Sequence, residues 1–171
     1  MTSPGSITIR LERPDDAAAI RRLLDDAFAG PAEGVLIERL RERGDVVLAQ
    51  VAVRDQTVVG YLAWPRLWIE TPRDQYKAVA LAPLAVALSC QRAGIGSALT
   101  RDSLPKLVEL GESIAFVVGD PVYYARFGFA LETAWAYESV YSGAHMMALK
   151  LTDNAPGEGR LRYPPPFDEL N

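Results

Sequence analysis

The segment from Leu84 to Leu99 joins an apolar run to a glycine-containing turn and then to a helical pattern. The apolar run predicts a buried strand, and the residues after Gly96 predict a helix. Main-chain N–H groups at such a turn and at a helix N-terminus carry partial positive charge and point into one concavity, where they bind anions. Gly94 and Gly96 have no Cβ where a phosphate approaches the main chain or where φ is positive. The segment therefore predicts a site for a phosphorylated ligand.

Two common phosphate-binding motifs are excluded by the neighbouring residues. No Lys-Ser or Lys-Thr pair follows Gly96, so the segment lacks the side chains with which a P-loop reaches terminal phosphates and holds magnesium. A dinucleotide-binding turn has a third glycine, and here Leu99 stands in its place. The segment is therefore neither of these nucleotide-binding motifs.

Two stretches of the chain resemble the GNAT superfamily of N-acetyltransferases. The first is Gln91-Arg92-Ala93-Gly94-Ile95-Gly96 after an apolar strand, and the second is Tyr124-Ala125-Arg126-Phe127-Gly128-Phe129. Residues 81–86 and 119–124 are also similar to a bacterial subgroup of predicted N-acetyltransferases within that superfamily. The resemblance runs from about residue 7 to the C-terminus, so it covers nearly the whole chain. It implies an N-acetyltransferase that uses acetyl-CoA as co-substrate and needs no metal.

The resemblance also implies which residues contact acetyl-CoA. The turn would hold its pyrophosphate through Gln91, Arg92, Ala93, Gly94, Ile95, Gly96 and Ser97. The strand before the turn, Leu84, Ala85 and Val86, would lie beside a partner strand that has splayed away. Its free N–H and C=O groups would then pair with the two amides of the pantetheine arm, as in the addition of a strand to a sheet. A main-chain amide near Val86 would donate to the oxyanion.

Tyr124 is the side chain that we expect to act as the catalytic acid. Acyl transfer from a thioester expels a thiolate, and a neutral tyrosine, whose ordinary pKa is about 10, can protonate it. In the resembled family the tyrosine four residues before Gly-Phe has this role, and Tyr124 occupies that position. The adjacent Tyr123 is expected to point elsewhere because neighbouring residues of a helix face different directions.

The general base is not fixed by the sequence. Many relatives carry a glutamate on the central strand, but residues 77–82 contain no carboxylate. Glu70, Asp120, a water chain or bulk solvent remain as alternatives. The missing carboxylate also leaves a second hypothesis open, a non-catalytic acyl-CoA-binding sensor or interaction module.

Other chemically interesting side chains have simpler interpretations. Asp120 is expected to cap the short helix that Pro121 opens. Cys90 is expected to be a buried, inert side chain, and His145 a surface or packing residue. Four aromatic residues could line an acceptor pocket, although each is also explained as core: Trp64, Trp68, Tyr76 and Trp135.

Composition limits the classes of partner. The 171 residues are 49% hydrophobic and 23% charged, with a net charge of −4. This balance argues against nucleic acid as the main partner and is compatible with a cationic amine substrate. We expect the acceptor to be a primary amine of a small molecule or a peptide. One cysteine and one histidine argue against a disulfide framework and a zinc site. No run approaches the roughly 18 apolar residues of a membrane span, so we expect a cytoplasmic protein without a membrane partner. A homodimer is compatible with the sequence.

Hydrophobic periodicity predicts a single α/β domain over residues 1–171, with a core at about 7–152. Strands are predicted at 7–11, 46–53, 58–64, 77–86 and 114–118, with a bulge or a diverging neighbour at Pro83. Two helices are predicted before residue 44, one over 97–110 that Pro105 interrupts or delays, and a short one at 123–127. Residues 146–151 and 160–163 are predicted to form a final hairpin, followed by an extended proline-rich tail. This order predicts a mixed sheet with helices on both faces. The resemblance implies in addition that the sheet is GNAT-like and mostly antiparallel, with a splayed central strand.

Overall fold

The order of strands and helices agrees with the predicted order as far as the strand at 114–118 and the short helix after it, except that the strand predicted at 77–86 is divided in two. The computed structural model describes residues 5–170. Its strands are β1 (Thr8–Leu11), β2 (Val46–Arg54), β3 (Thr57–Glu70), β4 (Gln75–Ala80), β5 (Leu84–Val86), β6 (Ile114–Val118), β7 (Tyr137–Glu138), β8 (Met146–Lys150) and β9 (Gly159–Arg162). Its helices are α1 (Ala17–Ala27), α2 (Ala32–Arg43), α3 (Ile95–Glu109), α4 (Pro121–Ala125) and α5 (Leu131–Ala134). Residues 1–4 and 171, which the predicted domain includes, lie outside the described residues.

Strand β3 organises the sheet because its two halves have different neighbours. Its first half pairs with β2 on one side and β5 on the other, and all of these pairs are antiparallel. Its second half pairs in the same way with β4 and β9. Beyond β4 the sheet continues through β6, which is parallel to β4, to β8. The sheet is therefore mixed and mostly antiparallel, as predicted.

Side chains alternate between the two faces of the sheet and bury it on both. On one face, Leu62 and Trp64 of β3 pack with Leu99 of α3 in one apolar cluster. On the other face, residues of β2 and β3 pack with apolar side chains of α1 and α2 in a second cluster. Burying both faces requires helices on both sides, so this part of the prediction is confirmed. The site-bearing helix α3 thereby has a fixed position against β3.

The sheet splays open between β5 and β6. The chain from Lys77 to Val86, predicted as one strand with a bulge or a diverging neighbour at Pro83, is divided between β4 and β5, and the peptide bond between Ala82 and Pro83 is cis. Leu81 donates its N–H to the carbonyl of Phe116 at 2.9 Å, and this is the last hydrogen bond toward β6. Beyond it β5 pairs only with β3, and the end of β6 pairs only with β8. The predicted splayed strand is therefore confirmed, with the separation beginning just before Pro83.

The predicted C-terminal hairpin is wrong. Strand β8 pairs with β6, and β9 pairs with β3 and β7, so the two predicted arms never meet. The reason is the length of β3, which continues through Pro65 to Glu70 after its pairing with β2 has ended. Its last residues have an open edge that β9 fills. The sequence contained the apolar pattern of both strands but no local signal for these distant partners.

Two smaller predictions about proline are also wrong. Pro105 lies inside α3, which runs through it without interruption from Ile95 to Glu109. The tail is not extended, since residues 165–170 form a 3-10 helix whose Phe167 is buried in the cluster formed with α1 and α2. Arg39 of α2 and Glu169 form an ion pair beside it. The tail is therefore a packed part of the fold that covers one face of the sheet.

A buried ion pair fixes the end of α3 against β3. Arg66 donates to both carboxylate oxygens of Glu112, at 2.8 and 2.5 Å, and also to the carbonyl of Ala78. The Glu112 side chain is 1% exposed. Because a buried carboxylate needs a charged and hydrogen-bonded partner, this contact constrains where α3 ends and β6 begins.

Candidate active site

The main chain of β5 offers unpaired groups to the splay. Ala63 donates its N–H to the carbonyl of Pro83, and Ala87 donates its N–H to the carbonyl of Val59. Because hydrogen-bonded positions alternate along an antiparallel pair, Pro83, Ala85 and Ala87 direct their main-chain groups toward β3. The intervening Leu84 and Val86 therefore direct their N–H and C=O groups away from β3, toward the side where β6 has separated. The Gln91 side chain donates to the Val86 carbonyl at 3.3 Å. Leu84 and Val86 thus present the edge that an amide-containing ligand could extend.

The turn after β5 exposes a run of main-chain N–H groups. Gly94 has φ of 81° and stands at the N-cap of α3, and Arg92 also has positive φ, at 65°. Ala98 donates to the carbonyl of Gly94, whereas within residues 5–170 the N–H groups of 94–97 donate to no other group. An α-helix leaves these first donors unsatisfied, and its dipole adds positive potential there. The predicted anion-binding geometry is therefore present at the start of a fifteen-residue helix.

This turn forms one wall of a cavity of about 490 Å³. Eight residues predicted for the cofactor site line it: Leu84, Val86, Gln91, Arg92, Gly94, Ile95, Gly96 and Ser97. Three residues that were not predicted for that site also line it: Cys90, Tyr123 and Arg126. Ala85 lies on the opposite face of the sheet, in the cluster formed with α1 and α2, and Ala93 is exposed on the turn. The structure therefore brings eight of the ten predicted residues to one cavity.

Tyr123 and Arg126 close this cavity from α4. The Tyr123 hydroxyl lies 3.2 Å from Ser97 Oγ, and the guanidinium of Arg126 lies 4.6 Å from the centre of the Tyr123 ring. Sequence reasoning missed both residues. Their spacing of three places them on one face of a helix, and that signal was available. Arg92 and Arg126 add positive charge to a cavity that exposed N–H groups already favour for anions.

Tyr124 lies at the edge of the splay, away from the main lining of this cavity. Its ring lies against Gly119, the residue after β6, where a Cβ would come within 2.5 Å of the tyrosine Cε2. The ring also meets Tyr123 edge to face at 4.9 Å and Phe129 at 6.0 Å. Burial raises the pKa of the Tyr124 hydroxyl to about 12, with smaller contributions from Tyr123 and Asp120. The phenol is therefore neutral at pH 7 and able to donate a proton.

Neither carboxylate considered as a general base lines the splay. Asp120 accepts a hydrogen bond from the Val122 N–H at 2.9 Å, which confirms the predicted helix cap. Glu70 lies at the far end of β3, 3.2 Å from the guanidinium of Arg162. Glu70 is therefore paired at the end of β3 that lies away from the splay. The Asp120 carboxylate lines neither the cavity at the turn nor the one on the opposite face of the splay, but its charge contributes to the raised pKa of Tyr124, and it remains an alternative general base.

A second cavity, of about 200 Å³, lies on the opposite face of the splay. The two chain segments that separate at the splay, residues 80–82 and 116–118, both contribute to its wall, and the C-terminal segment closes it. Its lining is Ala80, Leu81, Ala82, Phe116, Val117, Val118, Tyr141, Tyr163, Phe167 and Leu170. No member of this set carries a charge. We call this space the apolar cavity.

The aromatic residues predicted for an acceptor pocket lie elsewhere. Trp64 is fully buried in the core, Trp68 lies under the Arg66 guanidinium, and Trp135 is 74% exposed beside α5. Four rings line the apolar cavity, Phe116 of β6 and Tyr141, Tyr163 and Phe167 from the chain after residue 140, and sequence reasoning missed them. A cluster of aromatic residues beside Pro164–Pro166 was the available signal.

Cys90 and His145 lie in the surroundings that the sequence predicted. Cys90 is buried with its Sγ 3.4 Å from a nitrogen of Arg54, and His145 is exposed with Nδ1 3.3 Å from the Gly119 carbonyl. Over residues 5–170, no three His, Cys, Asp or Glu side chains are grouped as metal ligands would be. Among the helices that the structure describes, none is long and apolar enough to cross a bilayer.

Comparison with known sequences places this geometry in a family. A model described as the acetyltransferase (GNAT) domain matches residues 8–131. The uncharacterized N-acetyltransferase YhbS of Escherichia coli is 38% identical over 124 residues, which cover 72% of this chain and 73% of the relative. A second uncharacterized N-acetyltransferase of that organism, YjhQ, is 31% identical over 71% of this chain and 68% of its own length.

Solved structures give the same result over nearly the full length. The crystal structure of E. coli YhbS in complex with CoA has a TM-score of 0.89 and 30% identity, and covers 100% of this chain and 97% of that one. A GNAT family acetyltransferase from Brucella melitensis in complex with acetyl-CoA has a TM-score of 0.80 and 30% identity, over 95% and 99% of the two chains. With its family match over most of the chain, its splayed sheet and its glycine turn, this protein belongs to the GNAT family of acetyltransferases.

Proposed function

We propose that this GNAT acetyltransferase moves an acetyl group from acetyl-CoA to an amine by direct attack of the amine nitrogen on the thioester. The observation that carries the proposal is the continuity between the free edge of β5 and the N–H groups of residues 94–97. One extended ligand with amides at one end and a pyrophosphate at the other matches both features. Two solved structures that are similar over nearly their full length were obtained with CoA and acetyl-CoA, which supports the same ligand here.

In this proposal the cofactor lies along β5 with its pyrophosphate at the turn. The N–H groups of residues 94–97 and the cations of Arg92 and Arg126 bind the phosphates. The arm runs back along β5, where the outward N–H and C=O groups of Leu84 and the N–H of Val86 pair with its two amides. The thioester then lies toward the base of the splay, where the N–H of Val86 or Leu84 can donate to the carbonyl oxygen as negative charge develops there.

The chemical step needs one proton donor. The amine nitrogen forms a bond to the thioester carbon, and the C–S bond of the resulting tetrahedral intermediate breaks as the carbonyl re-forms. Tyr124 gives its proton to the departing thiolate, and the nitrogen loses a proton to solvent. The tyrosinate then takes a proton from solvent, which restores the phenol. The products are an N-acetylated amine and CoA with a free thiol. Holding both reactants in the splay supplies the proximity that such a bimolecular step requires.

Calorimetric titration with acetyl-CoA, CoA and ATP tests the cofactor part of the proposal. We expect binding of both CoA species and none of ATP, since the turn lacks the lysine and hydroxyl side chains of a P-loop. Binding of ATP without CoA would overturn the proposal.

Thiol release over a panel of polyamines, aminoglycosides, amino acids, aromatic amines and peptides tests the transfer itself. We expect release of CoA with at least one of these classes. Tight CoA binding with no turnover on any of them would contradict transfer and favour a non-catalytic acyl-CoA sensor.

A further inference from the structure

We propose that the apolar cavity is the acceptor site and that its occupant is a neutral amine carrying a single aromatic ring. This inference rests on the proposed function, because it assigns a substrate class to the same acetyl transfer. Four observations carry it: the position of the cavity, its charge, its size and ring geometry, and the absence of a carboxylate base among the residues that line it.

The position of the cavity follows from the two arms of the splay. Residues 80–82 form one wall and Phe116–Val118 the other, and the last hydrogen bond between them joins Leu81 to Phe116. A cofactor arm that runs from the turn back along β5 brings its acyl end toward this point. The cavity lies on the face opposite the turn, so an amine held there meets the thioester without displacing the cofactor.

The charge of the cavity argues against an ammonium group. Its lining contains aliphatic and aromatic side chains and no carboxylate. The nearby Glu169 of the C-terminal segment is already paired with Arg39. A protonated amine that entered would lose its hydration without gaining an ion pair, which is unfavourable. Polyamines, aminoglycosides and lysine side chains, which are cations at neutral pH, therefore fit it poorly.

The size and ring geometry of the cavity match one aromatic ring. Its volume is about 200 Å³, and an engineered apolar cavity of about 150 Å³ in another protein binds benzene. Tyr141 and Tyr163 meet edge to face at 4.9 Å, and Tyr163 meets Phe167 at 5.3 Å and 61°. Rings arranged in this way accept a further ring in an edge-to-face or offset contact.

The missing base gives the chemical reason for this substrate class. An alkylamine must lose a proton before it can attack, and among residues 5–170 no carboxylate lines the apolar cavity to take it. The nitrogen of an aromatic amine is already neutral at pH 7, so its lone pair is free without a base. The uncharged lining and the lack of a carboxylate within it therefore point to the same acceptor.

A matched panel of amines tests the inference. Aniline and benzylamine have nearly the same size, but only benzylamine is a cation at neutral pH. At pH 7.0, we expect kcat/KM for aniline to exceed that for benzylamine and for spermidine by about tenfold or more, since the site favours the neutral nitrogen. Preferred turnover of spermidine or of a lysine peptide would overturn the inference and leave the proposed function intact.

Val118→Trp tests where the ring binds. Val118 is half exposed at the mouth of the cavity, so an indole there would fill the space without disturbing the core. We expect the KM for aniline to rise about tenfold while the affinity for CoA stays within about twofold of wild type. Val108→Trp is the matched control, because Val108 is similarly exposed on α3 and does not line the cavity. Equal KM values for the two variants would overturn the assignment.

Two further measurements keep the outcomes distinct. Saturation-transfer NMR with CoA-loaded protein measures aniline binding without turnover, and its absence would overturn the inference even if no amine is acetylated. Hexanoyl-CoA tests whether the cavity holds a longer acyl chain instead. Preferential use of hexanoyl-CoA, lost in Val118→Trp, would overturn the acceptor assignment. Failure of CoA itself to bind would overturn the proposed function, and the inference with it.

Discussion

The hydroxyl of Tyr123 lies 3.2 Å from Ser97 Oγ, so the first turn of α3 and the short helix α4 meet at the rim of the anion-binding cavity. The next residue, Tyr124, points instead to Gly119 at the end of β6. Two adjacent tyrosines therefore face two parts of the candidate active site. Tyr123 contacts the element that would hold phosphates, whereas Tyr124 lies beside the splay, where the thioester would be. This division allows the effects of the two hydroxyl groups to be separated.

Tyr124→Phe should reduce turnover without loss of the fold. The substitution keeps the ring and its edge-to-face contacts with Tyr123 and Phe129. If the hydroxyl protonates the thiolate, kcat should fall by about 10²–10⁴, while the KM for acetyl-CoA changes little. Steady-state kinetics on the best amine of the panel gives both constants.

Tyr123→Phe is the matched control for this prediction. It removes the contact with Ser97, so it should change the KM for acetyl-CoA more than it changes kcat. Normal kcat in Tyr124→Phe, together with a lower melting temperature, would assign the Tyr124 hydroxyl a structural role only.

Gly94→Glu should abolish cofactor binding. The backbone at Gly94 has φ of 81°, and a Cβ there would meet no atom within 4 Å, so the side chain would enter the cavity rather than clash with protein. A carboxylate beside the N–H groups of residues 94–97 would occupy the anion site and repel the pyrophosphate. We expect calorimetry to detect no CoA binding to a variant whose circular dichroism is unchanged.

Gly111→Glu controls for backbone strain in that experiment. Gly111 follows the other end of α3, has φ of 87° and also has open space around a built Cβ. Both variants therefore place a glutamate in a left-handed conformation, at a cost of about 1–3 kcal/mol. Only the variant at Gly94 adds charge to the cavity. CoA affinity reduced equally in both would show that strain, and not charge, explains the loss.

The parts of the site that the sequence predicted are those encoded by consecutive residues. The apolar run at Leu84–Val86, the glycines of the turn and the helix after them are local patterns, and eight of the ten predicted cofactor residues line one cavity. The spacing of Tyr124 from Gly128 likewise placed the proposed acid near the splay. Pro83 indicated where the strand would change direction, because proline cannot donate to a ladder.

The parts that sequence reasoning missed depend on distant pairing. The partner of β9 is the end of β3, about ninety residues earlier in the chain, and no local signal identifies it. The apolar cavity needs β4, β6 and the C-terminal segment to meet, so Tyr141, Tyr163 and Phe167 could not be recognised as neighbours. Periodicity gives the faces of single elements, whereas the walls of a cavity are set by packing between them.

Glu112→Ala should be strongly destabilising. It would leave the Arg66 guanidinium, which now donates to both carboxylate oxygens, without its charged partner in a buried site. Removing one member of a buried pair costs about 3–5 kcal/mol. We expect urea denaturation to show a fall of this size in the free energy of unfolding.

Glu109→Ala provides the comparison for Glu112→Ala. Glu109 is exposed at the end of α3, three residues before Glu112, so its loss should change the free energy of unfolding by less than about 0.5 kcal/mol. Similar values for the two variants would show that the ion pair with Arg66 contributes little to stability.

Alkaline pH should destabilise the fold through its buried tyrosines. Burial raises the pKa of Tyr124 and of Tyr163 to about 12, and it also raises the pKa values of Tyr61 and Tyr137. In the unfolded chain these groups ionise near their ordinary pKa of about 10. Above about pH 10 the unfolded state therefore binds fewer protons than the folded state, so the free energy of unfolding falls as pH rises. Below about pH 10 all four are protonated in both states, and they cause no pH dependence.

Tyr124→Phe reports the contribution of one of these groups. Removing its titration should reduce the downward slope above about pH 10 by up to one proton, which is about 1.4 kcal/mol per pH unit. Urea midpoints measured from about pH 8 to about pH 11, with near-ultraviolet absorbance to follow tyrosinate formation, give the slope for each protein. A slope identical to that of the wild type would mean that the Tyr124 phenol ionises equally in the folded and unfolded states. That result would contradict its burial beside the splay and would also remove the reason why it stays protonated as a catalytic acid at high pH.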